Sequence, residues 1–144
     1  MNHTVVAAAA ATSFLWLGMV LAISGLEAPL KFRAPGVSLQ VGLSIGRLVF
    51  RALNRVEMAL AAVVLAAMAT SGASAALTAL ALAVVALLAV QVAVVRPRLN
   101  RRSDRVLAGE EAPRSRAHHA YIALEGVKII TLTVLAVMLI AGLS

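Results

Sequence analysis

Apolar residues along this chain fall into four long blocks separated by basic segments. The first block runs from about Thr4 to Leu26. The third runs from Ala73 to Val95, broken only by Gln91 and a few hydroxyls. Both match the roughly 20 mainly apolar residues that a helix needs to cross a bilayer. The charge-free stretches Met58–Thr70 and Ile129–Ser144 are shorter. To span, the second helix must reach back through Glu57 towards Arg51, and the fourth must include Lys128 and Glu125. The pattern therefore predicts helices at about 4–26, 44–70, 73–95 and 117–143, in one domain over 1–144, joined by loops at 27–43 and 96–116. The segment from Glu27 to Gly36, with Pro29 and Pro35, reads as a helix stop followed by extended chain. Within it, Phe32 between Lys31 and Arg33 reads as an interfacial anchor, or as a lid over the polar groups described below. The first block lacks a basic leading segment and exceeds an ordinary signal-peptide core, so it reads as a retained helix.

Composition supports the same class. Of 144 residues, 62% are hydrophobic, 13% charged and 3% aromatic, and the mean hydropathy is +0.96. Such a balance is abnormal for a soluble domain. The expected fold is an all-α integral membrane four-helix bundle. The absence of cysteine excludes disulfides, thiolate metal sites and cysteine nucleophiles.

Charge supplies orientation. All 13 Lys and Arg lie in the 27–43 and 96–116 segments and at the starts of the second and fourth helices. The N-terminus, the turn Ser71–Ser74 and the C-terminus carry none. The positive-inside rule then places both termini outside the cytoplasm; in a bacterium the membrane would be the inner, cytoplasmic one. The net charge of +7 flanks apolar runs, so anionic lipid headgroups are the expected partner. Lys31, Arg33, Arg47, Arg51, Arg55, Arg96, Arg98, Arg101, Arg102 and Arg105 are the residues expected to contact them. No stacking aromatics accompany the run from Arg96 to Arg105, so nucleic acid is not an expected partner.

Two packing patterns stand out. Ala59, Ala62, Ala66 and Ala69 share a face of the second helix, and Ala75, Ala79, Ala83 and Ala86 share a face of the third. Small residues let helices approach closely in lipid, so these stripes are expected to join the two helices as an antiparallel hairpin, unless alanine is simply abundant here. A faint repeat relates Ala52-Leu53-Asn54-Arg55-Val56-Glu57-Met58 to Ala123-Leu124-Glu125-Gly126-Val127-Lys128-Ile129. It would make the chain two parallel helical hairpins, with Glu57 and Lys128 at one depth as natural ion-pair partners.

The polar residues inside the spans are the candidate site. On the fourth helix His118, Tyr121, Glu125 and Lys128 share one face. On the second, Arg47, Arg51 and Asn54 do, with Arg55 and Glu57 on its flanks. A charged group facing hydrocarbon costs at least ~2.5–3.5 kcal/mol, so these side chains should face each other, a wet cavity or the headgroups. One reading is a functional cluster: Glu57 and Glu125 accept a proton or cation, Lys128 tunes them, and Gln91 adds a neutral ligand, with Asn54, Tyr121 and His118 around them. The alternative is that the arginines snorkel to phosphates and the acids and Lys128 form purely structural ion pairs. His118 and His119 point about 100° apart on a helix and do not converge on one ion, so neither a metal nor a cofactor is expected. No nucleophile motif or phosphate loop occurs.

Several short motifs follow this helix order: Lys31-Phe32-Arg33 in the first basic segment, Arg47-Leu48-Val49-Phe50 entering the second helix, Arg96-Pro97 after the third, and His118-His119-Ala120-Tyr121 opening the fourth. The arrangement resembles the small four-helix membrane family of unknown function that includes the eukaryotic membrane proteins associated with cisplatin resistance. It is more distantly similar to the four-helix membrane proteins linked to copper uptake and haem synthesis. The intramembrane histidines of those proteins are missing here, so their chemistry is not carried over. The closer resemblance implies no established enzyme activity and a role in export or tolerance of metals or drugs, and it assigns no catalytic residue. The expected function is solute or ion transport through the polar cluster, with a homo-oligomer or a larger membrane partner. The alternatives are a non-catalytic accessory or scaffold subunit and, last, a cofactor-binding membrane enzyme.

Overall fold

A computed structural model describes all residues, 1–144, and is entirely helical apart from its connections. Four helices are long and apolar enough to cross a membrane: α1 (His3–Arg33), α2 (Leu39–Ser71), α3 (Ala75–Leu107) and α4 (Arg116–Ala141). They form an up-and-down bundle in which each helix packs on its sequence neighbours and α4 closes the ring against α1. Local signals define the ends. Asn2 caps α1 by accepting from the amides of Thr4 and Val5, Ser38 caps α2 at Val41, and Ser74 caps α3 at Leu77. These side-chain oxygens satisfy amides that a helix start leaves free.

The turn between α2 and α3 closes on Gly72, whose φ of 69° is left-handed. A side chain there is strained, so Gly72→Ala should destabilise the protein by about 1–2 kcal/mol. Thermal unfolding in detergent would show it; an unchanged midpoint would mean that the turn relaxes freely. The N-terminus docks on the same end, with the Asn2 amide donating to the Ser71 carbonyl. Met1 also approaches Gly142 near the C-terminus. The uncharged ends of the sequence thus meet at one end of the bundle.

Two layers of apolar side chains fill the bundle from that end. The outer layer includes Val6, Ala9, Val64, Met68, Leu77, Ala81, Leu135 and Leu139. The inner one holds Trp16, Val20, Ala61, Val84, Leu88 and Leu132. The alanine stripes expected to join α2 and α3 do not do so. Ala59, Ala62, Ala66, Ala69, Ala75, Ala79, Ala83 and Ala86 are all exposed. Four helices around one axis leave a centre that must be filled to organic-crystal density. Val64, Met68, Leu77, Val84 and Leu88 fill it, and alanines would leave it hollow.

The helices also run further than the sequence pattern predicts. The segments 27–43 and 96–116, expected as loops, are largely helical, and only 34–38 and 108–115 connect elements at the basic end. Pro29 and Pro97 do not stop their helices because each follows a π-helical stretch, Leu21–Glu27 or Gln91–Val95. In these wider turns the amide of Ala28 donates to the Ile23 carbonyl and that of Arg96 to the Gln91 carbonyl. Each proline then enters the first turn of a new α segment, where its missing N–H costs nothing. The chain becomes extended only at Ala34. Phe32 does not lie over the polar cluster; its ring lies against Gly42 of α2, where any added Cβ would collide with it.

Candidate functional site

Beneath the inner apolar layer, towards the basic end, all four helices contribute to one polar layer at the bundle centre. Its hub is Lys128 of α4, which is fully buried. The Lys128 ammonium donates to Glu57 Oε1 at 2.5 Å and to Gln91 Oε1 at 2.8 Å, and it lies 2.6 Å from Glu125 Oε1. An ammonium has three donors, and here three oxygens from α2, α3 and α4 surround it.

The carboxylates are held in turn. Glu57, fully buried on α2, accepts from Trp16 Nε1 of α1 at 2.9 Å and from Asn54 Nδ2, one turn earlier, at 3.0 Å. Glu125 accepts from the Ser24 hydroxyl at 2.9 Å. Glu57 with Asn54, and Lys128 with Glu125, are pairs three residues apart, the spacing at which helical side chains meet. Ser24 and Gln91 both stand in π-helical stretches. A π turn inserts an extra residue and rotates the side chains that follow, and such turns are frequent at functional sites. Here they bring the two neutral ligands of α1 and α3 to the ion pair.

An aromatic and cationic layer follows. Phe50 and Tyr121 pack edge to face with centroids 5.8 Å apart. The Arg96 guanidinium sits 4.6 Å from the Phe50 ring and 4.5 Å from the Tyr121 ring, a cation–π arrangement from two sides. Its Nε and Nη2 are buried without a hydrogen-bond partner, as are Tyr121 Oη and Gln91 Nε2. Lys31 lies 5.8 Å from the Phe50 ring and 3.6 Å from Glu27.

Of the residues singled out in the sequence, Glu57, Glu125, Lys128, Asn54 and Gln91 meet in direct contact. Tyr121 is buried one turn from Glu125. His118 is only partly buried on the same helix and packs on His119. No three His, Asp or Glu side chains converge to hold a metal. The basic residues divide. Arg47 pairs with Asp104 at 2.5 Å and Arg105 with Glu110 at 2.9 Å. Arg102 donates to the carbonyls of Ala112 and Pro113, tying down the α3–α4 connection. Arg33, Arg51, Arg55, Arg98 and Arg101 are exposed. Trp16, the single tryptophan, and Ser24, one of four hydroxyls in its apolar run, join the cluster without a local pattern that marks them.

The arrangement holds charge in a buried centre. Glu57 and Glu125 share one ammonium, and the three side chains are at most 6% exposed. Opposite charges can be kept in low dielectric only when paired and hydrogen-bonded, and each of the three has partners from other helices. Neither a protein-family model, nor a curated protein, nor a solved structure matches this chain.

Proposed function

We propose that the chain is a small membrane transport protein, with both termini outside the cytoplasm, whose Glu57–Lys128–Glu125 cluster handles a proton or monovalent cation. One observation carries this reading: two buried carboxylates share one buried ammonium at the point where all four helices meet. One added positive charge, as a proton or a monovalent cation, would balance the second carboxylate. An ionisable residue inside a membrane segment is by default a candidate for an ion or proton pathway. Access is asymmetric. The apolar layers around Trp16 and Leu132 close the uncharged end. At the basic end Asn54, one hydrogen bond from Glu57, lines an open notch of about 180 Å³. The similarity to the cisplatin-resistance-associated family points to export or tolerance as the physiological setting, and the loop charges to the inner membrane of a bacterium.

The test is flux. Purified protein in liposomes holding a pH-sensitive dye should carry protons down an imposed potential faster than protein-free vesicles. Glu125→Gln keeps the Ser24 and Lys128 contacts but removes the second charge, and should lower that flux at least tenfold, about 1.4 kcal/mol on the limiting barrier. Wild-type flux equal to that of empty vesicles, with protons and with alkali cations, would sink the reading.

A second reading has its own observation. The outward alanine faces of α2 and α3 suit close approach of another membrane helix, as in an accessory or scaffold subunit. Native mass spectrometry from mild detergent separates the two. A defined homo-oligomer favours transport, whereas a monomer bringing another membrane protein with it favours the subunit.

A further inference from the structure

The notch at the basic end has chemistry of its own. Its walls are Arg47, Arg51 and Arg55 of α2 and Arg96 of α3, with the carboxamides of Asn54 and Asn100 between them. The three α2 arginines follow one another at four-residue spacing, which stacks like charges on one helix face and destabilises an isolated helix. Arg47 is neutralised by Asp104. No carboxylate pairs with Arg51, Arg55 or Arg96, and two nitrogens of Arg96 are buried without a partner. The protein has therefore gathered three uncompensated guanidinium groups around a concavity and provided no anion for them. A space of about 180 Å³ corresponds to roughly six waters at about 30 Å³ each, enough for a phosphate group.

We infer that this notch is a binding site for a phosphate-bearing anion, held by Arg51, Arg55 and Arg96 with Asn54 and Asn100 as neutral donors. Guanidinium forks match phosphate oxygens two at a time, and Arg96 is oriented by the Phe50 and Tyr121 rings on which it packs. Basic pockets between membrane helices are a recurring way to hold anionic headgroups. The remaining walls are Met58 and Val92, and Met58 is exposed on the outer face of α2. The site thus opens onto the apolar surface of the bundle, which favours a phospholipid headgroup over free phosphate as the source. The notch is also the basic-end approach to the Glu57 cluster through Asn54, but lipid retention is read without any flux, so the two readings fail separately.

The experiment is lipid and anion titration of the purified, delipidated protein, read by native mass spectrometry and thermal unfolding. Wild type should retain one phosphatidylglycerol in preference to phosphatidylcholine, whose choline the arginines repel. Arg51→Gln with Arg55→Gln removes two charge-assisted contacts and should weaken that retention at least about 100-fold. Arg98→Gln with Arg101→Gln removes the same charge outside the notch and should leave it unchanged. Because Arg51 and Arg55 are exposed, the first pair should fold, and Arg51→Lys with Arg55→Lys serves as a charge-retaining check. Stabilisation by millimolar inorganic phosphate that is lost in the first pair, without phosphatidylglycerol retention, would keep the site and assign it a soluble ligand. Equal losses in the two pairs, equal retention of the two lipids, or no response to either probe would overturn the inference.

Discussion

Replacing Lys128 by Met should cost about 3–5 kcal/mol of stability, the penalty for leaving a buried charge without its partner. The substitution keeps the length of the side chain and removes only the ammonium. Glu57 and Glu125 would then face each other at the bundle centre with nothing between them but the Gln91 carboxamide, whose oxygen now lacks its donor. Typical total stabilities are about 5–15 kcal/mol, so the loss should appear as a collapse of folded yield or a large fall in the unfolding midpoint. A rescue should also be possible. Adding Glu57→Gln and Glu125→Gln to Lys128→Met removes the uncompensated charges and should recover more than half of the lost stability. A triple variant no better than the single one would show that Lys128 acts through packing, and that the ion pairs do not hold the bundle.

The second large effect is expected at Trp16. It is 1% exposed, sits in the inner apolar layer with Val20, Val84, Leu88 and Leu132, and donates to Glu57. Trp16→Ala removes both contributions and should cost about 3–5 kcal/mol, the usual range for deleting a buried aromatic side chain. Trp16→Phe keeps most of the packing and removes the indole donor. Its cost should be smaller, about 1–3 kcal/mol, because Glu57 Oε1 keeps its contact with Lys128. Unfolding midpoints of the two variants in one detergent separate the contributions. If Phe were as damaging as Ala, the hydrogen bond rather than the packing would dominate; if Phe were silent, the bond to Glu57 would be dispensable.

These effects bear on function as well as on stability. The bundle carries charge where hydrocarbon packing would be simpler, and replacing buried ion pairs by apolar residues is often neutral or stabilising. A cluster retained only for stability would be an inefficient device. That is why the comparison of Glu125→Gln with Lys128→Met is informative: one should fold and lose flux, the other should lose the fold.

Much of the cluster's membership was legible in the sequence. Glu57, Glu125 and Lys128 are conspicuous because a bilayer demands a minimum helix length, and α2 and α4 can reach it only by taking these residues inside. Gln91 is conspicuous as the one amide in an apolar block. Trp16 and Ser24 are not, because neither residue type is unusual in a membrane helix and nothing in the local pattern says what it faces. The alanine stripes misled for a related reason. Small-residue spacing shows that a helix face can pack closely, not that it does, and the larger side chains on the opposite face of α2, Val64 and Met68, fill the centre. Pro29 and Pro97 misled because a proline's effect depends on the turn before it, and a π turn can absorb it.

The sequence by itself determined four helices long and apolar enough to cross a membrane, the gathering of all lysines and arginines towards one end, and which of those helices carry ionisable groups within their length. Those properties are one-dimensional, set by bilayer thickness and the cost of exposing charge to hydrocarbon. The tertiary structure alone decided who meets whom: Glu57 with Trp16, 41 residues away, and with Lys128, 71 away; Glu125 with Ser24, 101 away. Partners so distant in the chain are chosen by how four helices rotate to fill a common centre. That rotation is a property of all the side chains together, and no local pattern contains it.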